Sequence, residues 1–331
     1  MKVLVVRVGR VGDIVMITAA LNALLKRYPE AEIHALTSPD GKRVLRGFND
    51  RLTKLIIHDR EAFGERFRRP RVRQEIARAG YAHIYCFETK QSFGRLFGGA
   101  TAQIHQIEQS DELINYAERC LRLVCSQEQE IQSQWIRLPV TDEGRRKALE
   151  ILRSANVEDD AFLVGIHPTF SGLTKAFFRA RQSRQQRGWP LESFAMLARL
   201  LTEYAEGKGI RLTTVMDLLP EERPVGERIV HASGNTIKLL TPPPDFERYK
   251  AVLERMNLLI TPNTGPMHIA GAVGTPMVAL FSVLHPGDSG PYIPPQQWVA
   301  LRSEDTAAPH LGLSAIEPGT VFKACKQYLP A

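Results

Sequence analysis

The chain has 331 residues, 44% hydrophobic and 24% charged, which excludes a disordered or fibrous protein and leaves room for two domains with separate cores. The formal charge of +7 is uneven: residues 1–150 hold 25 Lys and Arg against 19 Asp and Glu, so an anionic partner is expected there. No apolar run reaches the roughly twenty residues of a membrane span. Cys86, Cys120, Cys125 and Cys325 are too few and too irregularly spaced for a disulfide framework or a metal site, and no metal or other cofactor is expected.

The apolar run 2–6 predicts a strand covered on both faces. Arg7, Arg10 and Asp13 interrupt the segment, which therefore reads as a buried strand and not as a signal peptide; cytoplasmic residence is the expectation. A helix is predicted over 13–27, with Ile14, Ile17, Leu21, Leu24 and Leu25 at helical spacing. Strands are predicted at 32–36, 55–57 and 83–87. A charged helical stretch, 141–160, precedes a second series: strands at 162–166, 212–216, 236–240, 258–261 and 277–281, alternating with helices at 191–205, 222–232, 246–255 and from Pro266. Such alternation implies parallel β-α-β units, hence an α/β chain with two doubly wound sheets. An amphipathic helix is predicted over 317–329. The basic stretches 61–74 and 172–188 carry no clear pattern.

Three segments could carry chemistry. Val8–Asp13 follows the first strand and opens the first helix. It lacks the spacing of a dinucleotide fingerprint, but its glycines allow a tight turn and close approach to the backbone. Asp13 is there either as the helix N-cap or as a carboxylate at the ligand-bearing edge of a parallel sheet. The second segment, Asn263-Thr264-Gly265-Pro266-Met267-His268, is more specific. A strand ends in a polar turn and a helix opens with Pro, so its free amide hydrogens suit a phosphate, with the Thr264 hydroxyl and His268 one turn in. In the third, Thr169 and Ser171 follow a strand end, and Lys175, Arg179, Arg181, Arg184 and Arg187 follow them. This loop reads as a phosphate site or as a solvated basic surface.

Together these segments resemble glycosyltransferase family 9, the bacterial heptosyltransferases of the lipopolysaccharide inner core, over nearly the whole chain. The resemblance rests on Gly12-Asp13, Trp189-Pro190, the block from Asn263 to His268, the following Ala-x-Gly-Thr-Pro run and Gly290-Pro291-Tyr292. It implies a GT-B fold: two Rossmann-like lobes facing across a cleft, with residues 1–155 binding the acceptor and 156–312 the nucleotide sugar. Residues 313–331 would pack back on the first lobe. The implied reaction inverts the anomeric centre without a metal. Asp13 would be the general base, and Arg187 would stand where the family has Lys. Thr169, Ser171, Lys175, Asn263 (usually Asp in the family), Thr264, Gly265 and His268 would hold the donor, with ADP-heptose implied. Gly12, Arg60, Arg66 and Arg69 would meet a phosphorylated glycolipid or oligosaccharide acceptor, among further arginines at 68, 71 and 73. Peripheral contact with the anionic inner-membrane surface follows from such an acceptor. Nucleic acid is not an expected partner, since no recognised module is present. The alternatives are a non-catalytic nucleotide-sugar-binding protein and a nucleotide-sugar epimerase on the same fold.

Overall fold

The computed structural model describes residues 1–59, 65–170 and 187–331, with backbone alone at 65–68, 91 and 92. The chain divides into two compact units, Met1–Leu138 and Pro139–Ala331. Each is built on a wholly parallel sheet.

In the first unit, strands β1 (Lys2–Arg7), β2 (Glu32–Thr37), β3 (Leu52–Ile57), β4 (His83–Cys86) and β5 (Gln103–Gln106) take the order β3-β2-β1-β4-β5. Val3, Leu4, Val5 and Val6 of the central β1 are fully buried. Leu4 and Val6 pack with Val72 and Ile76 of the Glu65–Arg78 helix and with Phe93 and Phe97. Alternation turns Val3 and Val5 to the opposite face. An unbroken apolar run is the signature of a strand with both faces covered.

The second unit holds β6 (Phe162–Ile166), β7 (Leu212–Asp217), β8 (Ile237–Leu240), β9 (Leu258–Pro262), β10 (Met277–Phe281) and β11 (Trp298–Arg302), in the order β11-β10-β9-β6-β7-β8. Both orders reverse direction beside the first strand of the unit, between β1 and β4 and between β6 and β9. There the loops at the strand carboxyl ends splay apart and leave a crevice for ligand.

Several boundaries differ from the sequence reading. The helix predicted over 13–27 is two helices, Val11–Met16 and Thr18–Arg27. At the break, Thr18 Oγ1 donates to the Val15 carbonyl at 2.7 Å and accepts from the Arg137 amide at 3.1 Å. The Asp142–Ser154 helix, expected in the first lobe, belongs to the second compact unit. It packs on the Phe246–Arg255 helix, with Lys147 on Asp245 at 2.9 Å and Arg145 on Glu254 at 2.8 Å. The closing helix, Pro318–Cys325, was expected on the first lobe. Its apolar face instead enters the core of the second unit, where Val321, Cys325 and the following Leu329 meet Leu197, Leu201 and Leu280. Strands β5 and β11 were not predicted; both lie at a sheet edge.

Burial pushes the Cys86, Cys120 and Cys325 thiols up to about 12, so they are packed, protonated side chains. Among the described residues no helix is long and apolar enough to cross a membrane, and no group of three or more His, Cys, Asp and Glu could hold a metal ion.

Candidate active site

In the first unit the carboxyl ends of β1 and β4 gather Arg7, Asp13 and Glu88. Asp13 is the third residue of the Val11–Met16 helix and not its N-cap. Its Oδ2 accepts the Arg10 amide at 2.9 Å, and its Oδ1 accepts Arg7 Nη2 at 2.8 Å. The side chain keeps 43% of its surface exposed, so the fixed carboxylate is open to a ligand. A side chain at Gly9 would put Cβ 2.6 Å from both Cβ and Oδ2 of Asp13, which explains the glycine in the turn.

Arg7 is itself enclosed. Its Nη1 lies 3.4 Å from Glu88 Oε2, and its guanidinium sits 4.7 Å over the Tyr116 ring. Glu88 is buried and accepts the Val8 amide at 2.7 Å. Burial opposes the charge on Arg7, but Tyr116, Asp13 and Glu88 more than offset it and raise its pKa. Burial also pushes the Tyr116 phenol well above its usual range, and its hydroxyl donates to the Phe87 carbonyl at 2.5 Å. The cluster therefore contributes one permanent cation and two acids.

A cavity of about 700 Å³ opens in the same unit between the Glu65–Arg78 helix and the turn at Gln91–Phe97. Arg69, Arg71, Arg73, Lys90, Arg95 and His58 line it. Arg73 is committed to the Gly98 carbonyl at 2.9 Å, whereas Arg71 and Arg95 are exposed. Concentrated guanidinium groups suit a phosphate or carboxylate.

In the second unit, β9 ends at Pro262 and the Gly265–Val273 helix starts without a side-chain cap, Pro266 being in its first turn. Thr264, at the N-cap, is buried, and its hydroxyl lies 3.3 Å from that of Thr261. Asn263 is held by its amide hydrogen on the Leu280 carbonyl at 3.0 Å and by Nδ2 on Ser289 Oγ at 2.9 Å. His268 is buried one turn into the helix. After β6, the buried Thr169 pairs with His167 Nε2 at 3.0 Å, and burial pushes that imidazole down to about 4. Arg187 is exposed, with its guanidinium 5.8 Å from the Phe170 ring. Trp189 beside it is structural: Nε1 donates to the Ile316 carbonyl at 2.8 Å and the ring packs edge-on against Phe194.

The structure thus gathers Gly12 and Asp13 at one sheet edge and Thr169, Asn263, Thr264, Gly265 and His268 around the switch point of the other. Arg69 lines the basic cavity. Arg60, Ser171 and Lys175 lie outside the described residues, as does the side chain of Arg66. The sequence reading missed Arg7, Glu88, Tyr116 and Ser289. The available signal was positional: Arg7 closes β1 and Glu88 follows β4, the two strands at the switch point.

The sequence profile of glycosyltransferase family 9 (heptosyltransferase) matches residues 132–315. The lipopolysaccharide core heptosyltransferase OpsX of Haemophilus influenzae is 23% identical over 110 residues, 33% of this chain and 30% of that protein, so the match spans less than a third of this relative. The fold is shared with several solved structures. A glycosyl transferase family 9 protein from Veillonella parvula gives a TM-score of 0.79 at 19% identity over 99% of this chain and 96% of its own. The E. coli ADP-heptose lps heptosyltransferase II gives 0.73 at 18% over 99% and 98%. The E. coli heptosyltransferase WaaC with ADP gives 0.70 at 15% over 99% and 100%.

Proposed function

The chain belongs to glycosyltransferase family 9, the heptosyltransferase family, and from that membership we propose that it transfers a sugar from a nucleotide-activated donor, ADP-heptose, to a lipopolysaccharide-core acceptor with inversion. The observation that carries this reading is Asp13: a half-exposed carboxylate, fixed by Arg7 and the Arg10 amide at a sheet's ligand-bearing edge. In this reading Asp13 takes the proton from an acceptor hydroxyl as its oxygen bonds to the anomeric carbon. The bond from that carbon to the diphosphate breaks, and the nucleoside diphosphate leaves with the electron pair. The uncapped helix start at Thr264–Gly265, with Arg187, meets the developing charge without a metal ion. Arg60, Arg66 and Arg69, with the basic cavity, take the anionic groups of a phosphorylated glycolipid acceptor, which brings the protein to a membrane surface.

The test pairs turnover with binding. Asp13→Asn is expected to lower transfer by roughly a hundredfold or more while leaving ADP affinity within about twofold. EDTA is expected to leave wild-type turnover unchanged. Full turnover in the variant would remove Asp13 as the base, and product formed without acceptor would make the chain an epimerase.

A further inference from the structure

Two carboxylates converge on the one, largely enclosed guanidinium of Arg7. Nη2 serves Asp13 at 2.8 Å and Nη1 faces Glu88 at 3.4 Å, while Nε is buried with no hydrogen-bond acceptor among the described residues. The acids differ in access: the Asp13 side chain is 43% exposed and that of Glu88 5%. Their lone pairs differ as well. Arg7 and the Arg10 amide take one position on each Asp13 oxygen, which sets the carboxylate plane and leaves the outward positions for a ligand. Glu88 is anchored by the Val8 amide.

We propose that Glu88, acting through Arg7, is a positioning residue that keeps Asp13 basic enough to take a proton. The inference rests on the reading of Asp13 as the base and adds what sets its strength. A guanidinium bonded to a carboxylate lowers its proton affinity, and a weaker base accepts less of the proton in the transition state. A second carboxylate on the same guanidinium offsets part of that pull. Among the described residues the other groups around Arg7 include Cys86 on β4, Tyr116, Cys120 and Arg119 on the Tyr116–Val124 helix, and Arg10 before the Val11–Met16 helix. The Tyr116 phenol and the Cys86 and Cys120 thiols stay protonated at neutral pH, so among the described residues Glu88 is the anion beside Arg7 that can compete with Asp13.

Carbon-13 NMR of aspartate-labelled protein, with the Asp13 carboxyl assigned by its loss in Asp13→Asn, reads the effect without donor or acceptor. Glu88→Gln keeps an acceptor for the Val8 amide but removes the charge. The Asp13 titration is expected to move to lower pH, and the acid limb of the kcat/KM profile to follow. Arg7→Gln with Glu88→Gln removes both charges together, leaves no lone buried ion, and is expected to move the titration above the wild-type value. An Asp13 titration unmoved in the variant that folds would overturn the proposal, whether or not the protein turns over. A shift with no transfer in the wild type would retain the coupling and reject the enzymatic reading.

Discussion

The side-chain amide of Asn263 donates to Ser289 Oγ at 2.9 Å, tying the turn after β9 to the turn after β10. Ser289 Oγ in turn donates to the His285 carbonyl at 3.2 Å. An uncharged side chain is therefore fixed beside the uncapped start of the Gly265–Val273 helix.

Charge at position 263 should be felt by a bound diphosphate. In Asn263→Asp the new carboxylate opposes the phosphates, and ADP is expected to bind roughly three- to tenfold more weakly, with the gap narrowing at high salt. Calorimetry at two ionic strengths measures this. Equal affinities at low salt would mean that the diphosphate does not reach this helix start.

On the proposed reading, the basic cavity serves the acceptor and not the donor. Arg71 and Arg95 are exposed there and Arg73 is committed to the Gly98 carbonyl, so the first two can be removed with little structural cost. Arg71→Ala with Arg95→Ala is expected to lower kcat/KM for a phosphorylated acceptor by about tenfold or more, leaving the donor KM unchanged. Steady-state kinetics with each substrate varied decides it; a raised donor KM alone would reassign the cavity.

A buried ion pair lies deeper in the second unit. Asp217, at the end of β7, bonds Arg248, and both are buried. Burial pushes the Asp217 carboxyl up to about 6 against the pull of Arg248. Arg248→Met leaves an uncompensated buried acid and is expected to destabilise by about 3–5 kcal/mol, while adding Asp217→Asn recovers most of the loss. Urea unfolding measures both; a single variant as stable as the double would contradict the pairing argument.

Acid should weaken the first unit through two histidines. Burial, and then Lys54, lowers the pKa of His34, which pairs with the Tyr81 hydroxyl at 2.8 Å. Burial, and then His83 and Arg27, lowers that of His105, whose Nε2 lies 3.2 Å from His83 Nδ1. Because the folded values lie below the unfolded 6.5, the unfolded chain takes up protons first. The stabilisation is complete above about pH 6.5 and is lost as pH falls through the folded values. Asp217 works oppositely, its raised value favouring the folded state at acid pH and losing that contribution as pH rises through about 6. The histidine part is therefore read as a difference: His34→Gln with His105→Gln is expected to shrink the fall in urea midpoint between pH 7.5 and 5.5. An equal fall would exclude these residues as its source.

Element type was legible wherever burial was symmetric. The apolar runs of β1, β6, β9 and β10 have both faces covered, so hydrophobicity alone marks them. The edge strand β5 reads Gln-Ile-His-Gln and is largely exposed, and β11 is nowhere fully buried, so neither carries an apolar signature. The Asn263–His268 block was legible because strand end, polar turn and Pro-led helix are contiguous in the chain. The Arg7–Glu88 contact was not, since its partners are about 80 residues apart and meet only because β4 pairs with β1.

By itself the sequence determined two doubly wound sheets, the family and the two loops that carry Asp13 and Asn263, because periodicity and contiguous motifs are local properties of a chain. The tertiary structure alone decided that Asp13 is bonded by Arg7 while Arg7 also faces Glu88, and that the closing helix joins the second core. Those outcomes depend on which strand ends become neighbours and which apolar faces remain to be covered, and neither is written in local spacing.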